Sequence, residues 1–161
     1  MKAFEESYIA RQLELKKQID FEHIIQMEEI KLLAGVDLAY WKKEDIEYAV
    51  CCIVVIDYFT KEVVEKKYCV DSVTVPYIPG CLAFREIPLF LKTKELIQEI
   101  PDVYIFDGNG YLHPRHMGIA THAGILLDKP TIGIAKTYYK IEDVEYLMPK
   151  NTAFAFEDII I

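Results

Sequence analysis

The sequence predicts an α/β fold in which helices pack on a mixed β-sheet, and three observations lead to this prediction. Three consecutive segments near the N-terminus are rich in β-branched and aromatic residues, as expected for a meander of three strands. Further along the chain, short apolar segments alternate with helix-like segments, which favours strands joined by helices. The chain has 161 residues, 52% of them hydrophobic, which suffices for one core, so we interpret residues 1–161 as a single domain.

The predicted elements follow the order helix, three strands, helix, strand, helix, strand. Apolar residues at imperfect helical spacing indicate the first helix. A turn over 57–61 closes the hairpin between the second and third strands, and Pro88 lies where a helix tolerates proline, near its first turn. The predicted bounds are a helix over about residues 4–30, strands over 32–40, 48–57 and 62–72, a helix over 88–100, a strand over 102–108, a helix over 117–128, a strand over 130–136 and the start of a further strand over 156–161.

Composition and charge exclude several classes of protein. No apolar run is long enough to cross a membrane, and the charged N-terminus is not a secretory signal, so we expect a cytoplasmic protein with no membrane partner. The four cysteines form no C-x-x-C pair, so we expect free thiols rather than disulfides or a zinc site. The net charge of −8 argues against a broad basic surface for nucleic acid, but it is compatible with a site that uses divalent cations.

Three carboxylates are candidates for a shared ligand site, and one of them stands at a strand end, where ligands collect in such sheets. Asp37 interrupts an apolar strand, where a charge is costly to bury unless it is paired, hydrogen-bonded or metal-bound. Asp107 closes the fourth strand, and Glu86 stands at the predicted helix entry. If the first and fourth strands are neighbours, all three can meet around one Mg²⁺ or Mn²⁺ ion. Each also has a structural interpretation, as a turn cap, a strand-end turn or a surface residue, and Lys136 at another strand end can be an ordinary solvated lysine.

The segment DGNGYLHPRHMG, residues 107–118, has the composition of a binding loop. Gly108 and Gly110 allow the backbone to approach a flat ligand closely. His113 places a titratable ring beside that gap, and the guanidinium of Arg115 matches the geometry of phosphate. The alternative interpretation is a polar turn with a histidine that caps a helix.

The loop VTVPYIPGCLAFREIP, residues 73–88, is both stiff and apolar. Pro76 and Pro79 bracket Tyr77 and lower the conformational entropy that the loop loses on binding. The loop is therefore expected to present Tyr77 stiffly.

Four segments together resemble the endonuclease V family, whose members nick nucleic acid near deaminated adenine, that is, deoxyinosine in DNA or inosine in RNA. They occur in the family's order and spacing between about residues 30 and 136, and the P-Y-I-P-G and F-R-E motifs are highly specific. The segments are AGVDLAY, VPYIPGCLAFRE, DGNGYLHPRHMGIATHAG and PTIGIAK.

The resemblance implies a fold similar to ribonuclease H and a role for each matching residue. Asp37, Glu86 and Asp107 would bind the metal, Mg²⁺ or Mn²⁺, and Lys136 would lie near the scissile phosphate. The partner would be inosine-containing DNA or RNA, hydrolysed one nucleotide beyond the lesion on its 3′ side. The resemblance further implies a strand-separating wedge, formed by Pro76, Tyr77, Ile78 and Pro79. It also implies a pocket for the extruded hypoxanthine, formed by Leu82, Gly108, Gly110, His113 and Gly118.

Two features depart from the family pattern. Typical members continue well beyond the position of Ile161, so we expect the C-terminal part of the fold to be missing and an exposed sheet edge to favour oligomers. Asn109 replaces an expected histidine, in a turn that asparagine tolerates. Two alternatives therefore stand beside the inosine-directed endonuclease: a module that binds inosine without cutting, and a ribonuclease H-like nuclease without lesion preference.

Overall fold

The computed structural model describes residues 2–22 and 25–136, which form a five-stranded sheet and three α-helices. The predicted order of helices and strands is confirmed within these residues, whereas the strand start predicted over 156–161 lies outside them. In chain order the elements are α1 (Lys2–Leu15), β1 (Leu32–Lys43), β2 (Ile46–Asp57), β3 (Val63–Ser72), α2 (Ala83–Lys94), β4 (Val103–Asp107), α3 (Ile119–Leu127) and β5 (Thr131–Ile134), with short 3₁₀ turns at Lys16–Gln18 and Met27–Glu29.

The strands lie in the order β3-β2-β1-β4-β5. β1, β2 and β3 form an antiparallel meander, while β4 and β5 are parallel to β1, which confirms the predicted mixed sheet. The hairpin between β1 and β2 turns at Glu44 and Asp45, whose φ angles of 49° and 64° suit the two-residue turn that matches strand twist. β3 and β5 are the edges of the described sheet, and association through such an edge stays a prediction.

The core lies on the face of the sheet that α2 and α3 cover. Alternate side chains of β1 and β2 point to this face, among them Val36 and Ile53. Phe90 of α2 is fully buried and meets the rings of Tyr104 and Phe106 edge-on, with centroids 5.9 and 5.0 Å away. These aromatic contacts fix α2 relative to β4, and so they determine where the first turn of α2 meets the sheet.

The helix predicted over 88–100 is displaced towards the N-terminus, since α2 begins at Ala83 and Pro88 lies inside it. Proline removes the N–H that would bond to the carbonyl of the residue four positions earlier. Ala83, Ile87 and Phe90 are nevertheless buried along one side of the helix, and this packing outweighs the local cost. The displacement places Glu86 in the first helical turn instead of before the helix.

The first helix is shorter than predicted, because α1 ends at Leu15 and the backbone becomes extended at Ile19 (φ −65°, ψ 123°). The Asp20 carboxylate accepts a hydrogen bond from the N–H of Glu22. This local bond takes the place of a helical hydrogen bond of the backbone and so disfavours continuation of the helix. Near its middle, α1 packs on the start of α2. Tyr8 stacks on Phe84 there, with ring centroids 4.3 Å apart.

The predictions about thiols and membrane segments can be compared with the structure directly. No disulfide joins the four cysteines, which confirms that they are free thiols. Within the described part of the chain, no helix has the length and apolar character needed to cross a membrane.

Candidate active site

Two of the predicted carboxylates are neighbours at the point where the parallel pairing of β1 with β4 ends. The register between β1 and β4 pairs Leu33 with Val103 and continues to Val36 with Phe106. One step further along the same register, Asp37 stands opposite Asp107. Because side chains alternate along strands, both carboxylates leave the sheet on the face opposite to its helices. The predicted adjacency of the first and fourth strands is confirmed, and it places these two acids side by side.

Glu86 reaches the same end of the sheet from the first turn of α2. β1 continues past its last pair with β4, and Tyr40 in this continuation donates its hydroxyl proton to Glu86 Oε1 at 2.8 Å. Only 8% of Glu86 is exposed. Burial raises the pKa of Glu86, the hydrogen bond from Tyr40 lowers it in part, and the charges of Asp37 and Asp107 raise it further. The charges of both aspartates therefore act on Glu86.

Each of the three carboxylates is engaged with a donor of the protein. Lys136 Nζ lies 2.5 Å from Asp107 Oδ2, the N–H of Leu38 donates to Asp37 Oδ1 at 2.8 Å, and Tyr40 holds Glu86. Among residues 2–22 and 25–136, no three His, Cys, Asp or Glu side chains are grouped closely enough to hold a metal ion. The three-ligand cluster expected from the sequence is thus not preassembled, although carboxylate oxygens are the donors that Mg²⁺ and Mn²⁺ prefer.

The wedge, defined as Pro76–Pro79, projects one aromatic ring into solvent. Tyr77 is 66% exposed, whereas Ile78 is 6% exposed and anchors the loop in the interior. The carbonyl of Val75, directly before the wedge, accepts a hydrogen bond of 2.7 Å from Arg85 Nη1. Tyr77 therefore lies on a loop that is anchored by the buried Ile78 and by the hydrogen bond from Arg85 to Val75, in keeping with the stiffness that its prolines predict.

Arg85 links the wedge to the carboxylate end of the sheet. Its Nη2 lies 2.7 Å from Glu47 Oε1, and its guanidinium carbon lies 4.7 Å from the centroid of the Tyr40 ring. The same Tyr40 carries the hydroxyl that binds Glu86. One side chain thus contacts both the entry of the wedge and the residue that orients the buried carboxylate.

The exit of the wedge is held by a polar cluster, the Gly80 node, formed by Gln12, Gly80, His113 and Arg115. Three side chains donate to the Gly80 carbonyl: Gln12 Nε2 at 2.9 Å, Arg115 Nη2 at 2.6 Å and His113 Nε2 at 3.1 Å. Gly80 has a φ of 73°, which favours glycine, and a Cβ atom there would lie 2.7 Å from Arg115 Nη2 and displace this guanidinium from the carbonyl.

The contacts of His113 and Arg115 differ from those expected of residues that touch a substrate. The His113 ring accepts the N–H groups of Arg115 and Met117 at Nδ1, at 3.2 and 3.3 Å, which leaves the proton on Nε2 for Gly80. Burial, followed by the charge of Arg115, lowers the pKa of His113 to about 4, so the ring is neutral at neutral pH. Arg115 also donates from Nε to Gln12 Oε1 at 2.6 Å. Both side chains serve here to join loops of the protein, and their contact with a base or phosphate stays a prediction.

Gly108 and Gly118 of the predicted pocket make room for other parts of the protein. The N–H of Gly118 donates to the Gly110 carbonyl at 3.0 Å, and a Cβ atom on Gly118 would lie 2.2 Å from the Asn109 carbonyl oxygen. A Cβ atom on Gly108 would meet the Ile119 side chain at 2.7 Å. Leu82, the residue before α2, is half-buried. These residues lie around the Gly80 node and the start of α3, and their contact with a purine stays a prediction.

Three residues to which the sequence assigned no role contribute to this site, namely Gln12, Tyr40 and Arg85. Tyr40 follows Asp37 by three residues on the same strand, and Arg85 precedes Glu86, so proximity to the predicted acids is a usable signal for both. The signal for Gln12 is subtler. A helical stripe of residues 8, 12, 15 and 19 is apolar except at Gln12, and a polar residue on a buried stripe indicates a specific partner.

A cavity of about 330 Å³ lies elsewhere, between the end of the first helical segment and the C-terminal half of α3. It is lined by Gln18, Ile19, Asp20, Thr121, Gly124, Ile125, Asp128, Lys129, Pro130 and Thr131. None of the predicted site residues lines this cavity. The candidate active site is therefore the region of the carboxylates and the wedge, outside the cavity.

The sequence is similar to known proteins along most of its length. Residues 13–160 match the model of the Endonuclease V family. The chain is 57% identical over 150 residues to the endonuclease V of Bacillus thuringiensis subsp. konkukian, an alignment that covers 93% of this chain and 64% of that relative. It is 53% identical over 156 residues to the endonuclease V of Clostridium acetobutylicum, covering 97% and 67% of the two chains.

The fold is also similar to solved structures. The endonuclease V of Bacillus subtilis superposes with a TM-score of 0.86 at 49% identity, over 98% of this chain and 66% of that one. The endonuclease V of Ciona intestinalis, in complex with a 24mer DNA containing an inosine followed by a ribo-adenosine, superposes with a TM-score of 0.78 at 32% identity, over 84% and 59%.

These matches confirm the predicted ribonuclease H-like fold. The chain spans about two thirds of the length of the relatives that it matches. Because the family model covers residues 13–160 and the chain is 57% identical to the endonuclease V of Bacillus thuringiensis and 53% identical to that of Clostridium acetobutylicum, this chain belongs to the endonuclease V family.

Proposed function

We propose that this chain is a metal-dependent endonuclease that hydrolyses a phosphodiester bond near inosine or deoxyinosine in DNA or RNA. The observation that carries the proposal is the placement of Asp37 and Asp107 on neighbouring strands beside the buried Glu86, whose pKa both of them raise. Structural ion networks also raise pKa values, but here the two aspartates lie where the parallel pairing of β1 with β4 ends, beside the carboxyl end of β4, and ligands bind at such strand ends.

Asp37, Glu86 and Asp107 are the residues that would hold Mg²⁺ or Mn²⁺. The chemistry that such a cation supplies when bound is stabilisation of charge on the phosphate and activation of a water molecule. Glu86 presents its second oxygen while Tyr40 keeps the first one oriented. Asp107 would exchange the Lys136 ammonium for the cation, which frees Lys136 to neutralise the negative charge that develops on the phosphate.

The wedge and the loop of residues 108–118 would supply selectivity for the lesion. Tyr77 is exposed and rigidly supported, so it can take the place of an extruded base without a large loss of loop entropy. Hypoxanthine lacks the exocyclic amino group of guanine, so a closely fitted pocket beside Gly110 and Gly118 would reject guanine. Since both nitrogens of His113 are engaged within the protein, this selection would come from backbone and shape.

The test uses a labelled strand with a single deoxyinosine and a control strand with guanine at the same position. With Mg²⁺ or Mn²⁺ present we expect a nick near deoxyinosine, no nick in the guanine strand, and loss of the nick on chelation or in an Asp107→Asn variant. Binding of the deoxyinosine strand without a nick would instead identify a binding module. Equal cleavage of both strands would identify a nuclease without lesion preference, and either result would refute the proposal.

A further inference from the structure

Gln12 is a buried polar residue that belongs to none of the segments that carry the predicted chemistry. It lies on α1 with 0% of its surface exposed. Its Nε2 donates to the carbonyls of Gly80 and Met117, at 2.9 and 3.3 Å, and its Oε1 accepts from Arg115 Nε at 2.6 Å. A buried amide that makes three hydrogen bonds is fully committed to its partners, because each bond left unmade would cost desolvation energy.

These partners place Gln12 at the exit of the wedge. Four residues separate Val75, whose carbonyl Arg85 holds, from Gly80, whose carbonyl the Gly80 node holds. Both ends of the wedge are therefore fixed by side chains from outside the loop, while Tyr77 between them remains exposed. Within the node, Gln12 is the member that binds both the Gly80 carbonyl and the guanidinium that donates to it.

We propose that Gln12 is a positioning residue that fixes the exit of the wedge and thereby determines how well the protein opens a duplex around inosine. Without its amide, Arg115 Nε loses its acceptor and the Gly80 carbonyl loses one of its three donors. The guanidinium can then rotate, and the loop can leave the position that presents Tyr77. This inference rests on the proposed function, since it assigns a residue to the wedge of that same site.

The consequence differs between duplex and single-stranded substrates. Strand separation is needed only when the inosine strand is paired, so a mispositioned wedge should slow nicking of the duplex and spare the single strand. A general loss of folded protein would slow both to the same extent. We therefore expect Gln12→Met, which keeps the side-chain volume, to lower the duplex-to-single-strand ratio of nicking rates by roughly tenfold, the effect of losing one of the three donors to the Gly80 carbonyl.

The experiment compares the full chain with three variants on a deoxyinosine strand, alone and annealed to its complement, with 2-aminopurine beside the lesion as a fluorescent reporter of unstacking. Gln12→Met and Gln12→Glu should both lower the ratio and the fluorescence increase on binding, because glutamate keeps an acceptor for Arg115 but donates nothing to Gly80 in its ionised form. Leu15→Ala, which removes a buried side chain of α1 outside the node, should leave the ratio unchanged.

Hydrogen exchange of the peptide over residues 73–82 provides a readout that does not need activity. We expect faster exchange in both Gln12 variants than in Leu15→Ala. An unchanged nicking ratio with unchanged exchange, or equal effects in Leu15→Ala, would overturn the inference. Failure of the unmodified chain to bind or nick the deoxyinosine strand would instead refute the proposed function, while the exchange comparison would still decide whether Gln12 fixes the loop.

Discussion

Replacement of Tyr40 by phenylalanine tests the site most directly, because it removes one hydroxyl from Glu86 and leaves the ring in place. The hydroxyl donates to Glu86 Oε1 at 2.8 Å, and the ring that remains keeps its contact with the Arg85 guanidinium. Burial and the charge of Glu86 raise the pKa of Tyr40, so the hydroxyl is a proton donor throughout the working pH range. The substitution therefore changes the orientation of one carboxylate with little loss of packing.

The magnitude follows from the burial of Glu86. A hydrogen bond to a charged group contributes about 1.5–3 kcal/mol, and at 8% exposure the carboxylate has little solvent to replace the lost donor. That free energy corresponds to roughly a 10- to 100-fold change in an equilibrium constant, which is also the usual cost of losing a residue that orients a metal ligand. We expect Tyr40→Phe to weaken Mn²⁺ binding by this factor and to slow nicking in parallel.

The assay is a titration in which the paramagnetic resonance signal of free Mn²⁺ reports the bound fraction. Tyr104→Phe is the matched control, since it removes another buried hydroxyl from the same core, one that has no hydrogen bond to Glu86. Mn²⁺ affinity within a factor of two or so of the unmodified chain, or an equal loss in the control, would show that Tyr40 does not orient a metal ligand.

Two further perturbations address the electrostatics. Burial, and then the charge of Arg11, lowers the pKa of His122 from 6.5 to about 4. Between these pH values the unfolded chain binds a proton at this histidine and the folded chain does not. The free energy of unfolding therefore falls as the pH drops through this interval, by at most about 3 kcal/mol. His122→Phe removes this titration, together with an Nδ1 atom that has no hydrogen-bond partner among the described residues. The variant should show a smaller difference between its urea stabilities at pH 7 and pH 4.5, and an unchanged difference would contradict this expectation. Lys136→Met should tighten Mn²⁺ binding a few-fold, because the exposed ammonium that competes for Asp107 is removed. Nicking should nevertheless slow, because the proposed countercharge at the phosphate is lost. Weaker Mn²⁺ binding would show instead that the lysine supports the site.

The parts of the fold that follow from local pattern could be predicted from the sequence. β-branched and aromatic segments indicated β1 to β3, and alternation of apolar strands and helices indicated β4, α3 and β5. The neighbouring positions of Asp37 and Asp107 followed from one topological assumption, that the first and fourth strands pair. Periodicity and strand-end chemistry carry this information, because they depend on residues close together in the chain.

The features that depend on distant partners could not be predicted. α2 begins five residues before Pro88 because Ala83 and Phe90 find a core that other segments build. His113 and Arg115 were predicted to contact the substrate, because the sequence does not show that their hydrogen-bonding groups are already bound to the Gly80 carbonyl and to Gln12. Side-chain chemistry indicates what a residue can bind, whereas the fold determines whether a protein group has already taken that capacity.

The adjacency of Arg85 and Glu86 connects the stiff loop with the proposed metal site. Consecutive residues of a helix point about 100° apart, so Arg85 turns to the wedge while Glu86 turns to the sheet end. Both leave the first turn of α2, and Tyr40 contacts both, through its ring and its hydroxyl. A shift of this turn would therefore move the entry of the wedge and the buried carboxylate together. Under the proposed function, this arrangement would keep the distance between strand opening and bond hydrolysis constant, which is the requirement for cutting at a defined position relative to a lesion.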